Sequence, residues 1–167
     1  ELRNTFPDVP IEVSLSTIND YPGLSALIKR FKIDMVFHAA AYKHVPMMEL
    51  APIESAYNNI LGTDNLVRAA LDARVERFVM VSTDKAVNPT NVMGASKLMG
   101  ERLIAAANSN SREEGPIFTS TRFGNVLGSR GSVIPIFREQ IRRGGPVTLT
   151  DPAMTRFIMS LKEAIQL

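Results

Sequence analysis

The chain has 167 residues, 45% hydrophobic and 22% charged, with 19 basic and 17 acidic side chains and a formal net charge of +2. These values are typical of a globular protein with one hydrophobic core, and the balanced charge gives no reason to expect nucleic acid as a partner. The absence of cysteine excludes disulfides and thiolate metal sites, and two histidines alone cannot bind zinc, so we expect no metal.

No apolar run approaches the roughly 20 residues that a transmembrane helix needs, and the first residues lack the pattern of a signal peptide. We therefore expect a cytoplasmic location, with membrane attachment only through segments that this chain does not contain. Because the sequence begins at Glu1 without methionine, we interpret it as an interior piece of a longer polypeptide.

The first half of the chain alternates between strand and helix patterns. A short strand is predicted over 11–13, and residues 24–31 have the apolar spacing of one helix face. The nearly continuous apolar run 33–40 is typical of a strand buried on both faces of a parallel sheet. Pro52 suits the first turn of a helix, and the pattern predicts that this helix continues to Ala73.

The second half continues the alternation. We predict a buried strand over 77–82, a long helix over 91–108 and a third buried strand over 117–126. A helix follows over 133–143, where two glycines end it, and a short strand is predicted over 147–150. Strands that alternate with helices in this way indicate an α/β fold with a mostly parallel sheet.

Two further features define the expected fold. Ser160 and Glu163 have the spacing of a capping box, which predicts the start of a last helix. No Gly-rich strand–turn–helix fingerprint occurs anywhere in the sequence. We therefore expect a Rossmann-like, doubly wound sheet that is incomplete, with its first two strands upstream of Glu1.

The residues richest in chemistry follow the strand predicted over 77–82. Ser82, Thr83, Asp84 and Lys85 offer two hydroxyls, a carboxylate and an amine at the carboxyl end of a strand, where open α/β sheets bind ligands. Lys97, at the start of the next helix, adds a second amine. Such groups suit proton transfer. Taken singly, these residues also fit a polar loop and a solvent-exposed helix lysine, as His38 and His44 fit packing or loop positions.

Four longer segments of the sequence form a specific pattern. They are 38–46 (HAAAYKHVP), 58–63 (NNILGT), 81–89 (VSTDKAVNP) and 122–135 (RFGNVLGSRGSVIP). With these segments the chain resembles the polysaccharide-biosynthesis dehydratases, extended short-chain dehydrogenases/reductases that act on UDP-N-acetylglucosamine. The resemblance extends from about residue 11 to residue 167, and its last two segments are long enough to be specific.

The resemblance implies NAD as cofactor and a UDP-sugar as substrate. Residues 1–132 would form a partial NAD-binding domain, and residues 133–167 the start of a nucleotide-sugar-binding part. The residues implied to contact NAD are Ala39, Ala40, Lys43, Asn59, Ser82 and Lys97. Of these, Asn59 would brace the strand and Lys97 would hold the nicotinamide ribose. The residues implied to contact the UDP-sugar are Val45, Asn125, Ser129, Arg130, Thr148, Thr150 and Arg156.

The implied reaction is an internal oxidation and reduction that removes water. Hydride leaves C4 of the sugar for NAD, the C5 proton is removed, the C6 hydroxyl leaves as water, and hydride returns to C6. Asp84 would be the acid for the leaving water and Lys85 the C5 base, with Thr83 and Lys97 completing the catalytic set. Lys85 would need burial or a neighbouring cation, since a base works best with a pKa near the operating pH.

The chain departs from the family pattern in three places. Met93 stands where most short-chain dehydrogenases have tyrosine, and a thioether cannot transfer a proton, so we expect Met93 not to be catalytic and Met93→Tyr to keep activity. Asp84 or an ordered water would then take the C4 hydroxyl proton. Thr17 replaces an aspartate that would meet the adenine amine. Without the Gly-rich loop, the 167-residue chain alone is expected neither to bind NAD tightly nor to turn over.

Two other functions stay open on this sequence. A UDP-sugar 4-epimerase or reductase of the same fold would place tyrosine at Met93 and would not need Asp84 and Lys85. A non-catalytic nucleotide-sugar binding module fits the missing Gly-rich segment but gives the same pair no role. In either case the Ala-rich faces of the helices predicted over 52–73 and 91–108 suit pairing of two copies, so we expect a homo-oligomer.

Overall fold

A computed structural model of the chain describes residues 2–111, 115–129 and 132–167. Its strands are β1 (Met35–His38), β2 (Arg77–Thr83), β3 (Ile117–Phe123), β4 (Asn125–Val126) and β5 (Ile158–Met159). Its α-helices are α1 (Leu2–Thr5), α2 (Tyr21–Phe31), α3 (Val45–Leu50), α4 (Pro52–Ala56), α5 (Gly62–Ala73), α6 (Val92–Asn110), α7 (Val133–Arg142) and α8 (Leu161–Gln166). A π-helical turn, Tyr57–Leu61, joins α4 to α5, and a 3₁₀ turn, Asp84–Ala86, follows β2.

The main sheet has three parallel strands in the order β1-β2-β3, with β2 in the centre. The register pairs Phe37 with Val79 and Val79 with Thr119, so the three strands run side by side. Their carboxyl ends, at His38, Thr83 and Phe123, lie along one edge of the sheet. The expected α/β class with a parallel sheet is therefore confirmed.

One face of this sheet carries the hydrophobic core. Alternate side chains of β2 are buried: Phe78, Met80 and Ser82 are each 3% exposed or less. The ring of Phe78 packs 5.3 Å from that of Phe118 on β3, between the sheet and the helices α2, α5 and α6. Full burial of a phenylalanine or methionine side chain contributes roughly 1.5–3 kcal/mol, so this layer is the main source of stability.

The opposite face of the sheet is open in the part of the chain that the structure describes. Met35, Phe37 and Ile117 are 44%, 70% and 56% exposed, although Phe37 and Ile117 each adjoin a buried residue of the same strand. The expectation that the run 33–40 is buried on both faces is therefore wrong for Met35 and Phe37. The reason is that the core formed with α2, α5 and α6 lies on the other side of the sheet.

Two predicted strands are also wrong. Residues 11–13 and 147–150 lie outside strands, because a strand requires a partner and no described strand pairs with either segment. Thr148 instead exchanges two hydrogen bonds of 3.1 Å with the side chain of Gln140 on α7. Periodicity alone gave the right apolar pattern for these segments but not the pairing.

The strand predicted over 117–126 is interrupted at Gly124, and its last two residues pair with β5. A Cβ at Gly124 would lie 2.7 Å from the carbonyl oxygen of Phe157. Glycine therefore permits the close approach of the segment that carries β5. This small second sheet was not predicted, since two-residue strands leave no periodic signal.

The long helices follow their predicted bounds closely. The side chain of Asn91 caps α6 by accepting a 2.8 Å hydrogen bond from the Gly94 amide, and the Ser160–Glu163 capping box of α8 is confirmed. The predicted helix 52–73 is a continuous run of α4, the π-helical turn and α5. No helix among the described residues is both long and apolar enough to span a bilayer.

Candidate active site

A cavity of about 460 Å³ lies at the carboxyl edge of the main sheet. Small-molecule sites have volumes of roughly 300–1,000 Å³, so a ligand of moderate size fits. The wall is built by the ends of β1, β2 and β3, the first turns of α6, and the segment around β4. The lining residues are Ala39, Ala41, Lys43, His44, Val81, Ser82, Thr83, Lys85, Met93, Lys97, Phe123, Gly124, Asn125, Val126, Ser129 and Ser132.

Asp84 and Lys85 form a close ion pair at this edge, with Lys85 Nζ 2.9 Å from Asp84 Oδ1. The same ammonium donates to Asn125 Oδ1 at 2.9 Å, and the Thr83 hydroxyl donates to Asp84 Oδ1 at 2.9 Å. Burial alone would raise the pKa of the Asp84 carboxyl, but hydrogen bonds from Lys85 and Thr83 outweigh it and lower that pKa. The resting pair is a carboxylate and an ammonium.

Gly94 brings α6 against the turn that carries this pair. A Cβ at Gly94 would lie 2.4 Å from the carbonyl oxygen of Lys85 and 3.0 Å from Cβ of Pro89. Because glycine has no side chain, the first turn of α6 can lie this close to the turn that carries Asp84 and Lys85. The neighbouring Met93 is 5% exposed and lines the cavity as an apolar group.

Lys97 is an almost buried cation, 8% exposed, whose Nζ donates to the Val81 carbonyl oxygen at 2.9 Å. Burial lowers the pKa of its amine, and the charge of Glu101 offsets part of that effect. Among the described residues this ammonium has one hydrogen bond, and an ammonium has three donors. Two donors are therefore available to a ligand in the cavity.

Glu101 lies one helical turn after Lys97 and binds two strands at once. Its carboxylate accepts hydrogen bonds from the Ser82 hydroxyl at 2.6 Å and from the Arg122 guanidinium at 2.8 and 2.6 Å. The bidentate contact with Arg122, and secondarily the bond from Ser82, lower the pKa of the Glu101 carboxyl, although burial opposes them. This carboxylate is ionised at neutral pH.

Asn59 holds the loop that follows β1. It is 2% exposed, and its side chain accepts from the Tyr42 amide at 2.8 Å and donates to the Tyr42 carbonyl oxygen at 3.0 Å. A third hydrogen bond, 3.0 Å long, reaches Ser96 on α6. The amide therefore joins the π-helical turn, the loop and α6 without lining the cavity itself.

His38 ends β1 and is 2% exposed. Its Nε2 lies 2.8 Å from Oγ1 of Thr63, and that hydroxyl donates to the Asn59 carbonyl oxygen, so Nε2 carries the ring proton and donates. Its Nδ1 is buried without a partner among the described residues. Burial, with the nearby charge of Lys97, lowers the pKa of His38 to about 4, and the ring is neutral at pH 7.

The structure brings only part of the predicted site together. On the cavity wall lie Ala39, Lys43, Ser82, Thr83, Lys85, Lys97, Asn125 and Ser129. Asp84 adjoins the wall through Lys85, and the Ser82 hydroxyl is turned to Glu101. Off the wall lie Ala40, Val45, Asn59, Thr148, Thr150 and Arg156. Arg130 lies outside the described residues.

Sequence reasoning missed several wall residues and one residue behind the wall. His44, Phe123 and Ser132 line the cavity, and the Ser132 hydroxyl is buried without a partner among the described residues. Glu101 is the residue behind the wall. Its spacing of four from Lys97 on a helix was a usable signal, since such residues share a face.

The arrangement defines a class before it defines a family. A parallel α/β sheet with a polar cavity outside the carboxyl ends of its strands is the arrangement of nucleotide-binding α/β proteins. Within the described ranges no group of three histidine, aspartate or glutamate residues is placed to hold a metal ion. Residues 2–167 match the family described as "Polysaccharide biosynthesis protein", and the chain belongs to that family.

Similar sequences come from archaea and bacteria. The chain is 50% identical over its whole length to an uncharacterized membrane protein of Methanocaldococcus jannaschii, of which it covers 50%. It is 49% identical to the probable polysaccharide biosynthesis protein EpsC of Bacillus subtilis, of which it covers 28%, and 43% identical to a UDP-glucose 4-epimerase of Rickettsia bellii, of which it covers 48%. The chain thus spans half or less of the length of these curated relatives.

Solved structures show the same fold. Pen from Bacillus thuringiensis superposes with a TM-score of 0.90 at 42% identity, over 99% of this chain and 51% of that one. The UDP-glucose 4-epimerase of Thermus thermophilus, solved with NAD, superposes with a TM-score of 0.80 at 25% identity, over 96% of this chain and 60% of that one. The Rossmann-like fold expected from the sequence is therefore confirmed.

Proposed function

We propose that the protein containing this chain is an NAD-dependent dehydratase that converts UDP-N-acetylglucosamine to a UDP-4-keto-6-deoxy sugar. The observation that carries this proposal is the Asp84–Lys85 pair, anchored by Asn125 at the edge of a cavity that also holds Lys97. A carboxyl group and an amine side by side supply an acid and a base for elimination. Membership of a polysaccharide biosynthesis family supports the substrate class.

The cavity wall fits the reactive end of NAD. Ala39 is small enough for a planar ring to approach the end of β1, and Lys97 has donors available for ribose hydroxyls. Lys43 lies on the same wall, and Asn59 fixes its loop. The related Thermus epimerase was solved with NAD, which supports the same cofactor here. When bound, NAD would accept a hydride from C4 of the sugar and return it to C6.

The resting charges of the pair suit the first proton transfer. The Asp84 carboxylate takes the C4 hydroxyl proton, directly or through an ordered water, because Met93 cannot. Protonation of Asp84 removes the counter-ion of Lys85, which makes release of the ammonium proton easier. Each group thereby acquires the protonation state that the elimination needs.

The elimination then uses both groups. The neutral amine of Lys85 takes the C5 proton, and protonated Asp84 gives its proton to the departing C6 hydroxyl, which leaves as water. Lys85 returns that proton to C5 when hydride arrives at C6, so the sugar has lost one water and Asp84 is again a carboxylate. The amine of Lys85, which gave its first proton to solvent before the elimination, takes one up from solvent and becomes an ammonium again. The Thr83 hydroxyl, bonded to Asp84 Oδ1, orients the carboxyl group throughout.

The diphosphate and uridine are assigned to the segment after β3. Asn125 and Ser129 line the cavity there, and Arg130, Thr148, Thr150 and Arg156 would complete the nucleotide site. Arginine suits this role because its planar fork matches phosphate geometry. The Arg156 guanidinium bonds to the adjacent Thr155 carbonyl oxygen and would have to turn toward the ligand.

A 4-epimerase is the second candidate, and one observation favours it. The Rickettsia bellii relative named UDP-glucose 4-epimerase is 43% identical over the whole chain. An epimerase also needs NAD and a UDP-sugar, but it removes no water and needs no base for C5. An epimerase is expected to have tyrosine at the position of Met93, so the methionine favours the dehydratase.

Mass spectrometry and NMR of incubated UDP-N-acetylglucosamine separate these functions. The assay uses the full polypeptide that the gene encodes, without added NADH. A product lighter by one water supports the dehydratase. An unchanged mass with inverted C4 identifies the epimerase, and an unchanged sugar that still binds identifies a non-catalytic module.

The 167-residue chain by itself is proposed to bind NAD weakly and to be inactive. Its sequence contains no Gly-rich strand–turn–helix motif. In that motif the N-terminus of the helix binds the pyrophosphate of the dinucleotide. Isothermal titration calorimetry of the chain with NAD checks this proposal. A dissociation constant of about 1 μM, which corresponds to about −8 kcal/mol, would contradict it.

A further inference from the structure

Glu101 is the only carboxylate among the described residues that accepts hydrogen bonds from side chains of both β2 and β3. Its side chain is 10% exposed, whereas that of its partner Arg122 is 47% exposed. The carboxylate of Glu101 therefore lies at the inner end of the ion pair, and the Arg122 guanidinium covers it from the solvent side. A carboxylate that is largely removed from water is costly unless its oxygens are bonded. Here Oε1 accepts two hydrogen bonds and Oε2 accepts one.

The carboxylate is placed between the two groups that the proposed reaction uses. Ser82, whose hydroxyl it binds at 2.6 Å, directly precedes Thr83, which orients Asp84. Lys97 lies one helical turn before Glu101 on α6, and no carboxylate of the residues described by the structure is hydrogen-bonded to its almost buried ammonium. Glu101 thus contacts the end of β2 through its hydrogen bond from Ser82 and acts on Lys97 through its negative charge.

We propose that Glu101 is a positioning residue of the active site, which fixes the end of β2 and keeps Lys97 a cation. This inference rests on the proposed function, in which a charged Lys97 holds a ribose. Arg122 orients the carboxylate but is not itself required for the charge of Lys97. The groups are thereby assigned different roles, which experiment can separate.

Other titratable groups lie around the cavity: Lys43, Lys85 and Arg122 are basic, and Asp84 is acidic. Glu101 is the carboxylate whose charge favours the ammonium form of Lys97. The ring of His38, at the end of β1, is buried and neutral at pH 7, so it adds no charge. The titratable groups that line the cavity or face Lys97 are His38, Lys43, His44, Asp84, Lys85, Glu101 and Arg122.

The test compares Glu101→Gln with Arg122→Gln in the full polypeptide. Glutamine at position 101 keeps an acceptor for Ser82 but removes the charge, so the alkaline limb of the kcat/KM profile should move to lower pH. Arg122→Gln leaves the carboxylate and should not move that limb downward. Glu101→Asp keeps the negative charge, so the alkaline limb should lie at the same pH as in the parent. Glu12→Gln, the same substitution at an exposed glutamate that does not line the cavity, is the matched control.

Direct titration of Lys97 keeps the test independent of turnover. The ¹³Cε resonance of Lys97, assigned with Lys97→Arg, should titrate at lower pH in Glu101→Gln than in the parent or in Arg122→Gln. Equal midpoints in all three proteins, or a downward shift in Arg122→Gln as large as that in Glu101→Gln, would overturn the proposal in favour of a structural clamp. Absence of dehydration by the parent contradicts the proposed function instead, while the Lys97 midpoints still decide the role of Glu101.

Discussion

At the residue scale, the charges of the site are set by contacts within one turn and by one contact from a neighbouring strand. Asp84 is a carboxylate because Lys85 and Thr83 donate hydrogen bonds to it, and Lys85 also donates to Asn125 of β4. Adjacent residues on one turn could be anticipated from the sequence. The contact with Asn125 could not, since it depends on how closely β4 follows the break at Gly124.

Loss of either member of the pair should abolish most of the turnover. Asp84→Asn removes the proton carrier for the C4 and C6 oxygens, and Lys85→Met removes the C5 base, so each should lower kcat by about 10²–10⁴-fold. Dehydration rates of the purified full polypeptides measure this, with Lys29→Met on the exposed face of α2 as the control. Activity within a few-fold of the parent in both variants would rule out the assigned roles.

His38 should make stability depend on pH in a defined window. Its pKa is about 4 in the folded chain and 6.5 when exposed, so the unfolded state binds the proton more readily. Stability from this group is complete above pH 6.5 and is lost as pH falls toward 4, by about 2 kcal/mol between pH 7 and 5. Urea unfolding at these two pH values measures the loss.

His38→Gln provides the matching control for that experiment. Glutamine retains a donor toward Oγ1 of Thr63 but does not titrate, so its stability should change less between pH 7 and 5 than that of the parent. An identical pH dependence in the two proteins would show that another group is responsible.

At the element scale, helix positions were predictable and the minor strands were not. The apolar faces of α2 and α6 extend over three to five turns and are local properties of the sequence. Whether residues 11–13 become a strand depends on a partner elsewhere in the chain, which periodicity does not contain. The same reasoning explains why β5 was missed.

Gly94 should be less replaceable than Gly100 on the same helix. A methyl group at Gly94 meets the backbone oxygen of Lys85 at 2.4 Å, whereas at Gly100 it meets the flexible end of Met80 at 2.5 Å. Gly94→Ala should therefore destabilise the chain by about 1–3 kcal/mol, as overpacking does. Gly100→Ala should cost less, because the methionine can move and alanine favours the helix.

Urea unfolding of the two alanine variants measures the difference, and the dehydration rate of the full polypeptide provides a second readout. Gly94→Ala should also lower turnover, since the turn that carries Asp84 and Lys85 must shift. Equal stability and equal activity of the two variants would show that the approach of α6 to the turn is not needed.

At the scale of the whole molecule, the exposed surface is larger than its mass requires. The accessible area is 12080 Å², whereas a folded monomer of this mass exposes roughly 8,000 Å². Exposed apolar side chains occur along the chain, and two groups of them lie on the open face of the main sheet and on one face of α4 with the π-helical turn. On the latter, Ile53, Tyr57 and Leu61 recur at every fourth residue and are 70%, 53% and 48% exposed.

We propose that two copies of the protein pair through that helical face. Ile53→Glu would bury a charge without a partner in the dimer, so it should raise the dimer dissociation constant at least tenfold, about 1.4 kcal/mol. Leu15→Glu, at a fully exposed apolar residue off this face, is the control. Analytical ultracentrifugation distinguishes them, and equal dissociation constants would exclude this face as the interface.

We propose above that the cavity beside Asp84, Lys85 and Lys97 carries out an internal oxidation and reduction with loss of water. The most direct test incubates the full polypeptide with UDP-N-acetylglucosamine carrying deuterium at C4, without added NADH. We expect a product that has lost one water and retains the deuterium, now at C6. A product of unchanged mass, or one that has lost both water and deuterium, would contradict it.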